Sequence, residues 1–200
     1  MFNNHFFHSN QQGLETLQRL ELCHRNLSLE TVVLSGTTCT LAALGSAIRI
    51  PIVSGTVHLI EPQPPCGSNP QYMAPELLQN TPFDGYAVDL FAAGVALFVM
   101  LLGGDTLFAA PLPEDRRFQD ICVEGNLKEM LQRICAKRAV IDLNISDDAL
   151  DLLQKMLRAE PKDRLGLSQV QQHAWVTKGG EAGATAPLTL AQPPPLGLGA

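Results

Sequence analysis

Hydrophobic and polar positions along this chain follow a period that changes from one stretch to the next. Leu14, Leu17 and Leu20 recur at helical spacing, which predicts an amphipathic helix over residues 11–22 that stops near Cys23. Residues 29–34 hold the β-branched run Thr31-Val32-Val33, and residues 38–50 are a second strand-like stretch broken at Gly45. With Gly36 between them, they predict a small hairpin-like element near the N-terminus. Pro62, Pro64, Pro65 and Gly67 make residues 51–70 mostly loop.

From Tyr72 onward the pattern is helical. A short turn of helix over 74–79 precedes a run over 86–102 that is apolar on every side, which places it inside a core. Leu127, Met130, Leu131 and Ile134 fall at i, i+3, i+4, i+7, as do Ala149, Leu152, Leu153 and Met156. The second set starts well, because Ser146 suits an N-cap and Asp147 and Asp148 complement the helix dipole. Pro161 marks its stop, and a last short helix covers 168–175. Residues 178–200 are rich in Gly and Pro, which predicts a disordered tail, and residues 1–10 read as an N-terminal extension. Phe2, Phe6 and Phe7 in that extension are expected to cover the folded part.

Composition narrows the function classes. With 46% hydrophobic and 17% charged residues the chain can bury a sizeable core. Fourteen basic residues against 20 acidic ones leave a net charge of -6, so nucleic acid and anionic membrane are disfavoured as partners. The longest apolar run, residues 90–102, has 13 residues against the roughly 20 needed to cross a bilayer. Five cysteines without a C-x-x-C pair indicate neither a disulfide framework nor a structural zinc site. The first ten residues carry no basic n-region and no apolar h-region. A cytoplasmic or nuclear protein, not a secreted one, is the expectation.

Five short motifs carry the chemistry. His24-Arg25-Asn26-Leu27-Ser28-Leu29-Glu30-Thr31 resembles the protein-kinase catalytic loop H-R-D-L-x-x-x-N. Ala43-Leu44-Gly45 stands where D-F-G belongs, and Tyr72-Met73-Ala74-Pro75-Glu76 carries the A-P-E triplet intact. Asp89-Leu90-Phe91-Ala92-Ala93-Gly94 is similar to the kinase D-x-W-x-x-G. Asp163-Arg164-Leu165 with His173-Ala174-Trp175 resembles the family's closing signature. Each alone is weak, but five in order across residues 11–177 are specific. The chain thus resembles the C-terminal lobe of the eukaryotic serine/threonine protein kinases, and no N-lobe is expected within it. The implied fold is mainly α, with the small β-hairpin element near its N-terminus.

The resemblance implies a catalytic aspartate as base, an asparagine and an aspartate for Mg²⁺, and ATP as cosubstrate. Here Asn26 occupies the base position, Thr31 and Ala43 the metal-ligand positions, and Ser28 the position where many such kinases carry lysine. An amide cannot accept a proton at neutral pH, and Mg²⁺ favours carboxylates that a methyl group does not offer. No aspartate precedes Asp84 and no lysine precedes Lys128, so a shift of register restores nothing. Losing the base alone lowers the rate about 10²- to 10⁴-fold. A catalytically degenerate, pseudokinase-like domain is the expectation, with neither ATP nor Mg²⁺ bound and a protein as its partner. Retained phosphotransfer, and a truncated copy without function, are the competing readings.

The resemblance also implies structural roles: Glu76 paired with Arg164, Asp89 anchoring the His24-Arg25 turn, and His24 packed in the core. Arg25 binds an activation-loop phosphate in many kinases. Ser54, Thr56 and Ser68 lie in the corresponding segment as possible regulatory sites, against the plainer reading of an unmodified loop. The docking loop carries one extra residue, which puts Asn69 where a hydroxyl is expected.

Overall fold

The computed structural model describes residues 2–35, 38–64, 69–102, 107–138 and 145–178. It is mainly α, with three two-stranded antiparallel sheets in the N-terminal third. The central element is helix α3 (Gly85–Leu102), and its burial has a simple cause: only Asp89 among its residues is charged. Its 18 residues have a mean hydropathy of 2.0, enough by length and composition to cross a membrane, yet 83% of the helix is buried inside the protein. The helix is therefore the hydrophobic centre of the fold. Gly94 lets α6 (Asp147–Met156) lie close against it, since a Cβ there would come within 3.0 Å of Met156 Cβ.

Helix α1 (Phe2–Arg19) packs on α3 and is longer than the pattern predicts. It runs unbroken through residue 10, so those residues belong to a folded helix and are not an appendage. The reason is tertiary. Phe7 is buried and meets Trp175 edge-on, with ring centroids 5.5 Å apart, at the far end of the chain. Asn10 and Gln11 continue the buried stripe toward Leu14 and Leu17, and as amides they hid it from a hydrophobic reading.

The strand-like stretches fold into shorter pieces than expected. Residues 29–31 form a turn of 3-10 helix before β2 (Val32–Ser35), which pairs with β3 (Thr38–Leu41) so that Val32 faces Leu41 and Ser35 faces Thr38. Strand β1 (Leu22–Cys23) pairs with β4 (Ile48–Arg49). The stretch read as loop contains a hairpin, β5 (Ile52–Val53) with β6 (Thr56–Val57). Ser54 and Gly55 between them both have positive φ, the conformation that tight two-residue hairpin turns require.

Beyond α2 (Pro75–Leu78) and α3, the chain forms α4 (Arg116–Phe118), which no periodicity announces. Asp115 caps it, its Oδ1 accepting from the Arg117 and Phe118 amides. A wider turn over 119–123 follows, held by Gln154, whose Nε2 donates to the Ile121 carbonyl while its Oε1 accepts from Leu127 N–H. Helix α5 (Leu127–Arg138) and α6 follow the pattern, and Ser146 caps α6 by accepting from Ala149 N–H. Helix α6 ends at Met156, well before Pro161, because Leu157 leaves helical geometry. The predicted last helix is two: α7 (Leu167–Gln171) and α8 (Ala174–Thr177). His173 divides them, its ring capping the Trp175 amide. Of the predicted tail, residues 179–200 lie outside the described residues.

Candidate functional site

The N-terminal half of α3 organises two buried clusters. In the first, Asp89 receives both backbone donors of the preceding turn. Its Oδ2 accepts from His24 N–H at 2.6 Å and its Oδ1 from Arg25 N–H at 2.8 Å. Burial pushes this carboxyl up to about 6 from its ordinary 3.8, against the lowering effect of the two N–H donors and the charges of His24 and Arg25. Cys23 beside it is pushed up to about 12, by burial first and by the Asp89 charge second, so its thiol stays protonated.

The His24 ring is fully buried. Its Nε2 lies 2.8 Å from the Ala42 carbonyl and its Nδ1 accepts the Asn26 amide at 3.3 Å. A carbonyl can only accept, so Nε2 is the donor in that contact. Both ring nitrogens are engaged within the fold. Arg25 has φ +63, a left-handed conformation uncommon for a side-chain-bearing residue. That turn sends its guanidinium toward two carbonyls, Pro64 at 3.0 Å and Ser46 at 3.5 Å, and over the Phe83 ring at 6.0 Å.

The second cluster is the pair Glu76–Arg164. Arg164 Nη1 and Nη2 donate to Glu76 Oε1 and Oε2 at 2.7 and 2.8 Å, a bidentate fork buried on both sides. The remaining donors are also used, on the carbonyls of Ala87, Arg158 and Ala159, and the guanidinium stacks 4.8 Å over Phe91. This pair ties α2 to α3 and to the segment behind it.

The four positions aligned with catalytic chemistry are arranged differently. Asn26 is half-buried, and its side-chain amide makes no hydrogen bond with the described residues. Thr31 turns its hydroxyl inward, where Oγ1 donates to the Ser28 carbonyl and accepts from Ser28 N–H. Ser28 is buried, and its own Oγ finds no partner among the described residues. Ala43 is exposed at φ 60, ψ 43, a strained conformation for alanine, and presents a methyl group. Among the described residues no group of three or more His, Cys, Asp or Glu could hold a metal ion.

The structure therefore brings His24, Arg25 and Asp89 together, and Glu76 with Arg164. It leaves Ser54 and Thr56 apart on the exposed β5–β6 hairpin, where neither hydroxyl bonds Arg25. Ser68 lies outside the described residues. Asn69 donates to Glu30 Oε2 at 2.8 Å, fastening the docking-loop position to the catalytic-loop turn. A cleft of about 380 Å³ opens between residues 62–64 and α2, with Met73 and Leu77 on its wall and Arg25 at its floor. Phe83 and the carbonyls of Ala42, Ser46 and Pro64 were missed by sequence reasoning. Backbone carbonyls carry no residue-type signal, and Phe83 looks like any core aromatic.

Comparison with known proteins gives one consistent answer. The protein kinase domain model matches residues 3–176. The serine/threonine-protein kinase SRK2J of Arabidopsis thaliana is 32% identical over 182 residues, covering 87% of this chain and 48% of the relative. SRK2C of the same plant is 30% identical over 181 residues, covering 86% and 47%. SAPK3 of Oryza sativa subsp. japonica is 29% identical over 182 residues, covering 87% and 48%. The chain spans about half the length of these curated relatives.

Proposed function

The chain belongs to the protein-kinase family, and from that premise we propose that it is a catalytically silent kinase-like domain. It acts in the cytoplasm or nucleus by contact with another protein. The observation that carries this reading is the contrast between two sets of positions. Every pair that holds the lobe together is closed, namely Asp89 with the His24-Arg25 turn and Glu76 with Arg164. The positions that would handle a proton and a metal offer an amide, a hydroxyl bound inside its own turn, and a methyl.

Phosphoryl transfer in this family depends on positioning and on charge stabilisation by metal ions. The residues present do not fit a magnesium ion: Ala43 offers no oxygen from its side chain, and Thr31 Oγ1 is committed to Ser28. A net charge of -6 supports a protein partner over nucleic acid. Incubation with labelled ATP and Mg²⁺ or Mn²⁺, with and without generic substrates, tests the reading. The expected result is no transfer and no ATP-dependent rise in melting temperature. Robust transfer that disappears on Arg25→Met would replace it with atypical kinase activity.

A second reading has its own observation. Asn10 Oδ1, Gln11 Nε2, Ser28 Oγ and Trp175 Nε1 are buried with no partner among the described residues. Unsatisfied polar atoms of this kind cost about 1–3 kcal/mol each, a loss of stability that a copy without function is free to carry. A chain that stays aggregated on expression and is undetectable in its source cells would favour this decayed-copy reading.

A further inference from the structure

We propose that the outer edge of residues 56–60 is a docking site for an extended segment of a partner protein, with apolar side chains at alternate positions and a basic residue beside them. This edge gives the protein contact proposed above a place and a partner chemistry, and it rests on that reading.

Strands β5 and β6 flank a two-residue turn, so their backbone groups alternate between the neighbouring strand and the outside. Val53 pairs with Thr56 beside the turn, and His58 N–H donates to the Pro51 carbonyl at 2.9 Å. Val57, between those two, turns its N–H and carbonyl away from β5. Ile60, two places on from His58, donates to the Phe83 carbonyl at 2.8 Å and accepts Phe83 N–H at 3.0 Å. Leu59, between His58 and Ile60, therefore faces outward like Val57. One edge is closed by Pro51 and Phe83, and on the other no described residue bonds the amides or carbonyls of Val57 and Leu59.

The side chains are open as well. Val57 is 39% exposed and Leu59 60%, on the face opposite the buried Ile60. Glu61 comes next in that period of two and is exposed, so the row is apolar, apolar, acidic. Residues 50–60 hold no Asp, Glu, Lys or Arg, the residues that usually protect a free edge. An antiparallel strand can satisfy both outward N–H groups and both carbonyls, cover Val57 and Leu59, and set a cation opposite Glu61. A net charge of -6 favours a basic partner in the same way. A second copy of the chain matches the edge less well. Self-pairing of Val57 with Leu59 places Gly55 opposite Glu61, and self-pairing centred on Leu59 places Val57 there. Neither register gives the carboxylate a counter-charge.

The probe is the synthetic peptide Ser-Lys-Thr-Val-Thr-Ile-Thr-Gly, labelled with fluorescein and titrated with the full chain in the absence of nucleotide. Anisotropy reads binding, and hydrogen exchange at the Val57 and Leu59 amides locates it. Saturable binding is expected, with exchange at those two amides slowed about tenfold or more and α6 unchanged. N-methylation of the peptide's Val and Ile, whose N–H groups face the edge, should weaken binding by at least about tenfold. N-methylation of the Thr residues on either side of that Val, whose N–H groups face away, should leave it intact. Glu61→Lys should weaken binding about two- to fivefold, and a peptide with Glu in place of its Lys should recover it. No saturable binding at millimolar peptide, or equal losses from the two methylation patterns, would overturn the site. So would protection of Val57 and Leu59 that appears on raising the concentration of the chain alone, which would assign the edge to a second copy. The nucleotide assay is scored separately: phosphate transfer would remove the catalytically silent reading, whereas failure of the peptide removes only this edge.

Discussion

Asp89 concentrates the electrostatics of the domain in one side chain. It is the sole charge in α3, it is buried, and it accepts two backbone N–H groups that have no helix or strand to serve. Its carboxyl rises to about 6 in the folded chain against 3.8 for an ordinary carboxyl, so the folded state binds more protons between those values. Stability from this group is therefore complete below about pH 4 and is lost as pH rises through 6. Comparing urea unfolding from pH 4 to 7 in the native chain and in Asp89→Asn isolates the effect. The native curve should lose stability across that window relative to the variant, and parallel curves would disprove the assignment. Asn10 and Gln11 make the opposite case, each with one buried amide atom, Oδ1 and Nε2, that has no partner among the described residues. Asn10→Leu and Gln11→Leu should each raise stability by about 1–3 kcal/mol, read as a higher urea midpoint at unchanged slope.

At the scale of elements, the fork between Glu76 and Arg164 joins α2 to the chain segment that follows α6. Removing one partner strands the other charge inside the protein, which costs about 3–5 kcal/mol. Removing both together leaves no such orphan. Arg164→Met and Glu76→Gln should each lower the melting temperature sharply, and the double variant should lose less than the sum of the singles. Additive losses would mean that the fork carries no coupling. The same logic explains the short sheets. Each has only two strands, too few to stand alone; β2–β3 is backed by α1, which packs on β3, and β1 by α1 and α3.

For the whole molecule, the core is asymmetric. α3, α6 and the aromatic set Phe91, Phe108 and Phe118 are densely packed, with Phe108 stacked 6.3 Å from Phe91 and edge-on to Phe118 at 5.8 Å. The β2–β3 hairpin is sparsely covered by comparison. Val33 and Leu34 are successive residues and so point to opposite faces, yet they are 53% and 46% exposed. A strand that leaves apolar groups open on both faces is a site of self-association. Val33→Thr with Leu34→Lys should lower light scattering at high concentration and leave the melting temperature within about 2 °C, since neither side chain is in the core. Scattering that persists would place the sticky surface elsewhere.

The family was legible in the amino-acid sequence because its signals are local: five motifs in order, an all-apolar helix, a serine-capped helix with acidic residues in its first turn. The identities at positions 26, 28, 31 and 43 were legible too, since the absence of any aspartate before Asp84 does not depend on geometry. What only the tertiary structure decided involves groups that residue type does not encode. The helix that begins at Phe2 needs Trp175 from the other end of the chain, and its amide-bearing stripe conceals it from periodicity. Thr31 and Ser28 close on each other through one backbone carbonyl and one amide, and Arg25 finds its partners on the carbonyls of Ser46 and Pro64. Every residue carries such a carbonyl, so spacing could nominate Arg25 but not what it holds; that follows from the path of the folded backbone.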